Sequence, residues 1–202
     1  MEFDKIIKPT TDVSNPSLLI EYAMKDLKDQ FVKNGSVDPV FALECDNGEN
    51  QLESIPQVGF FLNDNKGKNL LGDLFRGYAK HLTDTGSKPT CAFTCTEAWQ
   101  SPPIDKDDLK TQKTIEEEGV MSQPDRKEIL IFNLETKLQT RMIIYEIIRD
   151  DKEQNFVVSP NPIMDNIQDK EEGSLKSKFQ VWNNGEIQTS INFSLKGKKD
   201  EE

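Results

Sequence analysis

Cys91-Ala92-Phe93-Thr94-Cys95-Thr96-Glu97-Ala98-Trp99 is the stretch whose reading decides the fold. Gly86 and Pro89 break the chain before it, and Ser101-Pro102-Pro103 ends it. Small, β-branched and aromatic residues make it a strand. Alternation puts Cys91, Phe93, Cys95, Glu97 and Trp99 on one face and Ala92, Thr94, Thr96 and Ala98 on the other. Neither face turns polar before Glu97, so the pattern predicts a central strand covered on both sides. Trp99 shares a face with Phe93 and is expected to be largely buried, anchoring the strand at its exit.

On the N-terminal side, Asn15-Pro16-Ser17 opens a helix, with Asn15 as the N-cap and Pro16 at the first helical position. Leu18, Leu19, Tyr22, Ala23, Leu27, Phe31 and Val32 recur at near-helical spacing, and Asn34-Gly35 stops it. Short apolar runs over 40–45 and 55–62 predict an antiparallel hairpin. A second helix follows over about 69–82, striped by Leu70, Leu71, Leu74, Phe75 and Tyr78.

Beyond the central strand, residues 103–127 are charged and poor in apolar content, which reads as a long solvated loop. Runs over 128–134 and 138–148 predict a strong hairpin turned at Glu135-Thr136-Lys137, and 154–158 can add a short strand. A polar connection spans 159–174. A last hairpin, 179–182 with 187–193, turns at Asn184-Gly185, and a charged tail occupies 196–202. The expected fold is α+β: one domain over 14–195, with a mainly antiparallel sheet and two packed helices.

A chain of 202 residues with net charge −11 is acidic enough to disfavour nucleic acid and anionic membrane, and it suits a cationic protein partner. No apolar run is long enough for a signal peptide or membrane span. The three cysteines cannot all pair and show no C-x-x-C spacing, so reduced thiols in a cytoplasm are expected. The composition leaves the oligomeric state open.

His81 is the only histidine, which removes most catalytic histidine constellations and the usual zinc sites; no cofactor and no metal is expected. Cys45, Cys91 and Cys95 sit in core strands and read as buried and inert. Lys66-Gly67-Lys68-Asn69 lacks the spacing of a phosphate-binding loop, and Asn63-Asp64-Asn65 lacks the glycine and glutamate of a calcium loop. Glu97 is the carboxylate of most interest, because desolvation beside Phe93 and Trp99 would raise its pKa. It is expected either to reach solvent or pair with Arg141, or to act as an acid in a pocket. Asp125-Arg126, before the next strand, are the companion candidates.

Thr96-Glu97-Ala98-Trp99 closing a strand, a polar loop, and Pro124-Asp125-Arg126-Lys127-Glu128 opening the next resemble a group of uncharacterised small proteins of phages and bacteria. The likeness spans about residues 16–158. It implies one α+β domain, a host cytoplasm if the chain is phage-encoded, and no catalytic residue. The functional expectation is a non-enzymatic binding or accessory protein. The alternative is a carboxylate enzyme or small-ligand protein with Glu97, Asp125 and Arg126 around one pocket, strand ends beside loops being common ligand sites.

Overall fold

A computed structural model describes residues 8–47, 50–102, 108–118, 120, 125–150, 155–170, 179–183 and 185–187. The expected tail from 196, the 188–193 arm and Asn184 lie outside the described residues.

The deciding stretch lies inside strand β3 (Lys88–Gln100), which is central, with β1 (Val40–Asp46) on one side and β4 (Lys127–Glu135) on the other. Both ladders are antiparallel. Outward from β1 comes β2 (Asn50–Ser54), and outward from β4 comes β5 (Gln139–Asp150). The β4–β5 hairpin turns at Thr136, whose N–H donates to the Gln139 carbonyl at 2.9 Å.

Helix α1 (Leu18–Asn34) covers one face of this sheet and α2 (Asn65–Asp84) the other, which gives three layers of α+β architecture. Parity along each strand divides the core. Ala42, Cys91, Phe93, Cys95, Leu130, Phe132, Ile143 and Tyr145 turn toward Ile20, Leu27 and Phe31 of α1. Phe41, Leu43, Cys45 and Ala92 turn toward Leu71, Phe75 and Ala79 of α2. All three thiols are buried and unpaired. Burial pushes the Cys45 thiol up to about 12 and raises Cys91 and Cys95 as well.

Helix boundaries follow capping chemistry more closely than apolar spacing. Ser17, and not Asn15, is the N-cap of α1; its hydroxyl accepts from Ile20 N–H at 3.3 Å. Gly35 ends α1 in the left-handed region at φ 73°, its N–H on the Phe31 carbonyl at 2.7 Å. A Cβ there would stand 2.7 Å from the Phe156 ring, so glycine is required twice over. Helix α2 starts five residues before its apolar stripe, because Asp64 caps it by accepting from Gly67 N–H at 2.6 Å. That N–H is therefore committed to the cap. The residues considered for a phosphate or calcium loop are a helix start.

Three other expectations are corrected. The run at 55–62 forms a 3-10 helix (Val58–Asn63), and the strand opposite β1 is β2. Its Phe60, Phe61 and Leu62 are consecutive and do not alternate, so they suit a compact turn beside α2. The 103–127 loop holds helix α3 (Leu109–Glu118), opened by Asp108, whose carboxylate accepts from Thr111 N–H at 3.0 Å. The 159–174 connection holds β7 (Met164–Asp169), which pairs with the first half of β5 while β6 (Asn155–Val158) pairs with its last residues. The two behave as one edge strand interrupted by an outward excursion. Pro160 and Pro162, which cannot donate to a ladder, fall in that excursion, and Ser159 closes it with bonds to both the N–H and the carbonyl of Glu146. A short hairpin of β8 (Trp182–Asn183) and β9 (Glu186–Ile187) keeps part of the expected last hairpin, with Gly185 at φ 76°. Among the described residues no helix is long and apolar enough to cross a membrane.

Candidate functional site

Glu97 stands on β3 where α1 has already ended. One carboxylate oxygen accepts from the Val37 N–H, in the link from α1 to β1. This replaces the expected pairing with Arg141, whose guanidinium instead forks onto Asp165 at 2.8 and 2.7 Å and reaches the Val13 carbonyl at 3.1 Å. Burial raises the Glu97 carboxyl, opposed by the Val37 N–H; Glu128 and Asp38 push it the same way as burial, while Arg149 pulls it down. Arg149 itself forks onto Glu128 and lies 4.9 Å from the Phe156 ring centre.

Trp99 is not the buried anchor expected of it. It is 37% exposed, because α1 stops beside Glu97 and leaves the strand exit without a helix over it. The Arg126 guanidinium covers its ring instead, 4.8 Å from the centre. Asp125 is exposed. The structure therefore brings Arg126 to Trp99, and Trp99 shares a face with Glu97. Neither of the two cavities described below is lined by Glu97, Asp125 or Arg126.

The buried tryptophan is Trp182, held at the other end of the β3–β4 ladder by a carboxylate absent from the sequence-based candidates. Glu135 is buried at the last position of β4. It accepts from Val181 N–H at 2.9 Å and from Trp182 N–H at 3.0 Å, and it pairs with the Lys170 ammonium. Lys170 also donates to the Trp182 carbonyl at 3.2 Å and sits 5.5 Å from its ring centre. Burial pushes the Glu135 carboxyl up and the Lys170 ammonium down, while their contact with each other opposes both shifts. Arg76 of α2 adds a second tie, donating to the Gln180 carbonyl at 3.1 Å. A segment at 179–182 is thereby strapped over the sheet. The partners lie 35 and 46 residues apart in the chain, so no local pattern announces them. A second missed carboxylate, Glu44, is fully buried under the lead-in, accepting from Ser17 Oγ at 2.5 Å and Thr10 N–H at 3.0 Å.

Under the strap lies a cavity of about 300 Å³. Register explains its floor, which is two cross-strand rows on the α2 side of the sheet. One row is Thr94, Asn133, Met142 and Asn166; the other is Ala92, Glu135, Thr140 and Gln168. Phe75 of α2 and Phe179 of the strap wall it. An open groove of about 780 Å³ runs outside the strap, between the end of α2, the β4–β5 turn and the β8–β9 hairpin.

The outer edge of the sheet is a further feature, among the described residues, able to engage another molecule. Every residue of β7 is exposed, and Met164 and Ile167 present apolar surface there. Lys170 N–H donates to the Leu138 carbonyl in register with the ladder. Alternation from that bond turns the backbone groups of Asp165, Ile167 and Asp169 away from β5. Comparison with known protein families, with characterised proteins and with solved structures finds no match for this chain.

Proposed function

We propose that the protein is a binding protein whose partner is another polypeptide, taken as an added strand along the outer edge of β7. The observation that carries this is the outward turn of the Asp165, Ile167 and Asp169 backbone on a strand exposed along its whole length. Such an edge is a template for an incoming strand. Edge strands are ordinarily blunted by charge, proline, a bulge or a covering element; here the excursion and its prolines precede β7 and two aspartates lie on it, while β7 itself carries neither lysine nor proline.

The chemistry of the partner follows from side-chain parity. Asp165, Ile167 and Asp169 share one face of β7 in the order acid, apolar, acid. Asp165 is already met by the Arg141 fork and Asp169 only by the neutral Gln139 amide, so the complementary strand is apolar opposite Ile167 with a cation toward Asp169, and a net charge of −11 favours its approach. The three unpaired thiols support a reducing compartment for this encounter. An accessory role in a phage or bacterial cytoplasm accords with that setting.

A synthetic peptide alternating Lys and Val provides the probe, with a Glu and Val peptide as control. Titration calorimetry should detect binding of the basic peptide alone, weakening with added salt. Ile167→Pro removes an outward N–H that β5 does not use, so it should abolish binding while leaving the melting temperature within a few degrees. Unchanged affinity in that variant, or equal binding of the acidic peptide, sinks the reading. A stable dimer in light scattering that Ile167→Pro dissociates would assign the edge to a second copy of the chain.

A further inference from the structure

A second and independent site is built into the sheet beneath the strap. We infer that the cavity between the β3–β4–β5–β7 rows and residues 179–180 binds a small uncharged ring compound with an amide-type edge, of the kind a lactam or cyclic imide presents. Its capacity of about 300 Å³ is at the lower end of ligand pockets, enough for one or two rings.

The cavity does not depend on a guest for its shape. Its roof is tied to the sheet through the Val181 and Trp182 N–H groups on Glu135, and to α2 through Arg76 and the Gln180 carbonyl. A guest therefore meets a site already formed, which removes part of the ordering cost of binding.

Recognition chemistry comes from the two rows. Asn133 donates from Nδ2 to Thr94 Oγ1 at 3.3 Å, which fixes the direction of the carboxamide. A hydroxyl that accepts still has its own hydrogen to donate, and a fixed carboxamide presents an acceptor beside its second N–H. Neighbouring donor and acceptor of this kind match the paired C=O and N–H of a cyclic amide. Gln168 and Thr140 place a second carboxamide and hydroxyl opposite each other one row along, with Gln168 at the exposed rim. Phe75 and Phe179 supply apolar walls for the body of a ring, and Met142 an adaptable floor.

Charge selects against ions. Glu135, the one carboxylate lining the cavity among the described residues, already holds the Lys170 ammonium and two backbone N–H groups. Arg141 also lines the cavity, but it stands opposite Leu134 of the α1-side core, and its guanidinium is engaged by Asp165 and Val13. An ionised guest would give up its hydration without gaining an opposite charge, which is strongly unfavourable.

Uracil and its carboxylated analogue orotate make a matched pair of probes. Side-chain amide resonances of Asn133, Asn166 and Gln168 should shift saturably with uracil, at a Kd of about 1 mM or tighter. Orotate should bind at least about tenfold more weakly, a difference of roughly 1.4 kcal/mol. Met142→Trp, which fills the floor from a half-exposed position, should remove the uracil shifts. Gln168→Ala, on the exposed edge strand where it cannot unfold the core, should weaken them severalfold. No saturable shift with uracil at about ten times that concentration overturns the inference, as do shifts that persist unchanged in both variants. Orotate binding as tightly as uracil overturns the selection for uncharged guests.

Discussion

The two ends of the β3–β4 ladder use the same kinds of side chain to opposite effect. At the Glu135 end, a glutamate, a tryptophan and a lysine are packed out of solvent and strap residues 179–182 to the sheet. At the Glu128 end, two glutamates, a tryptophan and two arginines form a cluster in which Trp99 and Arg149 reach solvent while Glu97, Arg126 and Glu128 are partly covered. Composition does not separate the two ends. Cover does: the strap and α2 close one end, while α1 has stopped before the other. Glu135 at the closed end can hold structure together only with all its bonding capacity met, whereas half-buried Glu97 at the open end shares its charge with water and Glu128 beside it is met by Arg149.

The comparison is tested hardest at its tryptophans. Trp182 is 1% exposed, with Val181 and Phe41 among its core cluster. Trp182→Ala should cost about 4 kcal/mol, a large part of the roughly 5–15 kcal/mol a domain possesses. Urea unfolding checks this. A loss below about 1 kcal/mol would mean that the strap is an appendage to the fold.

Next in size is Lys170→Met, which leaves Glu135 buried without its cation. Removing one member of a buried pair typically costs about 3–5 kcal/mol, and the low end applies because two backbone N–H groups remain on Glu135. The pH dependence has a definite sign. With the ammonium gone, the folded-state pKa of Glu135 rises further above its unfolded value, so the native state binds the proton more tightly than the unfolded chain. The cost is absent below the unfolded pKa of about 4.3 and grows as pH rises through the folded value. Unfolding measured at pH 5 and pH 8 should show Lys170→Met closer to the parent protein at the lower pH. The reverse order would exclude Glu135 as the carrier of the charge.

Sequence reading reached this fold wherever a pattern was local. Alternation in 91–99, the Phe31 stripe of α1 and the hairpin around Thr136 are short-range signals, and each element is present. It failed where cover comes from afar. Met164-Asp165-Asn166-Ile167-Gln168-Asp169 has little β propensity; its extended state comes from the free half of β5 beside it. Leu109–Glu118 is polar enough to read as loop, yet Asp108 supplies a cap. Trp99 and Trp182 both end apolar runs, and only the reach of α1 and the Glu135 tether tells them apart. Glu97 was legible as a desolvated carboxylate, but its Val37 partner lies 60 residues away.

Trp99→Ala should therefore cost about 1–2 kcal/mol, well below Trp182→Ala. The ring keeps some burial, and its exposed contact with Arg126 adds about 0.5–1 kcal/mol. Differential scanning calorimetry on the two variants side by side is the check. Equal losses would erase the distinction between the closed and the open end.

The smallest effect belongs to Glu97→Gln, and its sign carries the argument. Burial raises the Glu97 carboxyl, Glu128 and Asp38 add like charge, and the Val37 N–H and Arg149 only partly offset them. A raised folded-state pKa means that the ionised form is worse off in the native protein than in the unfolded chain. Stability is then lost as pH rises past the unfolded value, and nothing is lost below it. Glutamine keeps an oxygen for the Val37 N–H and removes the charge. At pH 7 the variant should match the parent or gain a few tenths of a kcal/mol, since solvent screens a half-buried group. At pH 4 the difference should vanish. Chemical unfolding at the two pH values decides the point. A loss above about 1 kcal/mol at pH 7 would mean that the carboxylate holds a cation, Arg149 first among the candidates, and the open end of the ladder would then be organised by charge as the closed end is.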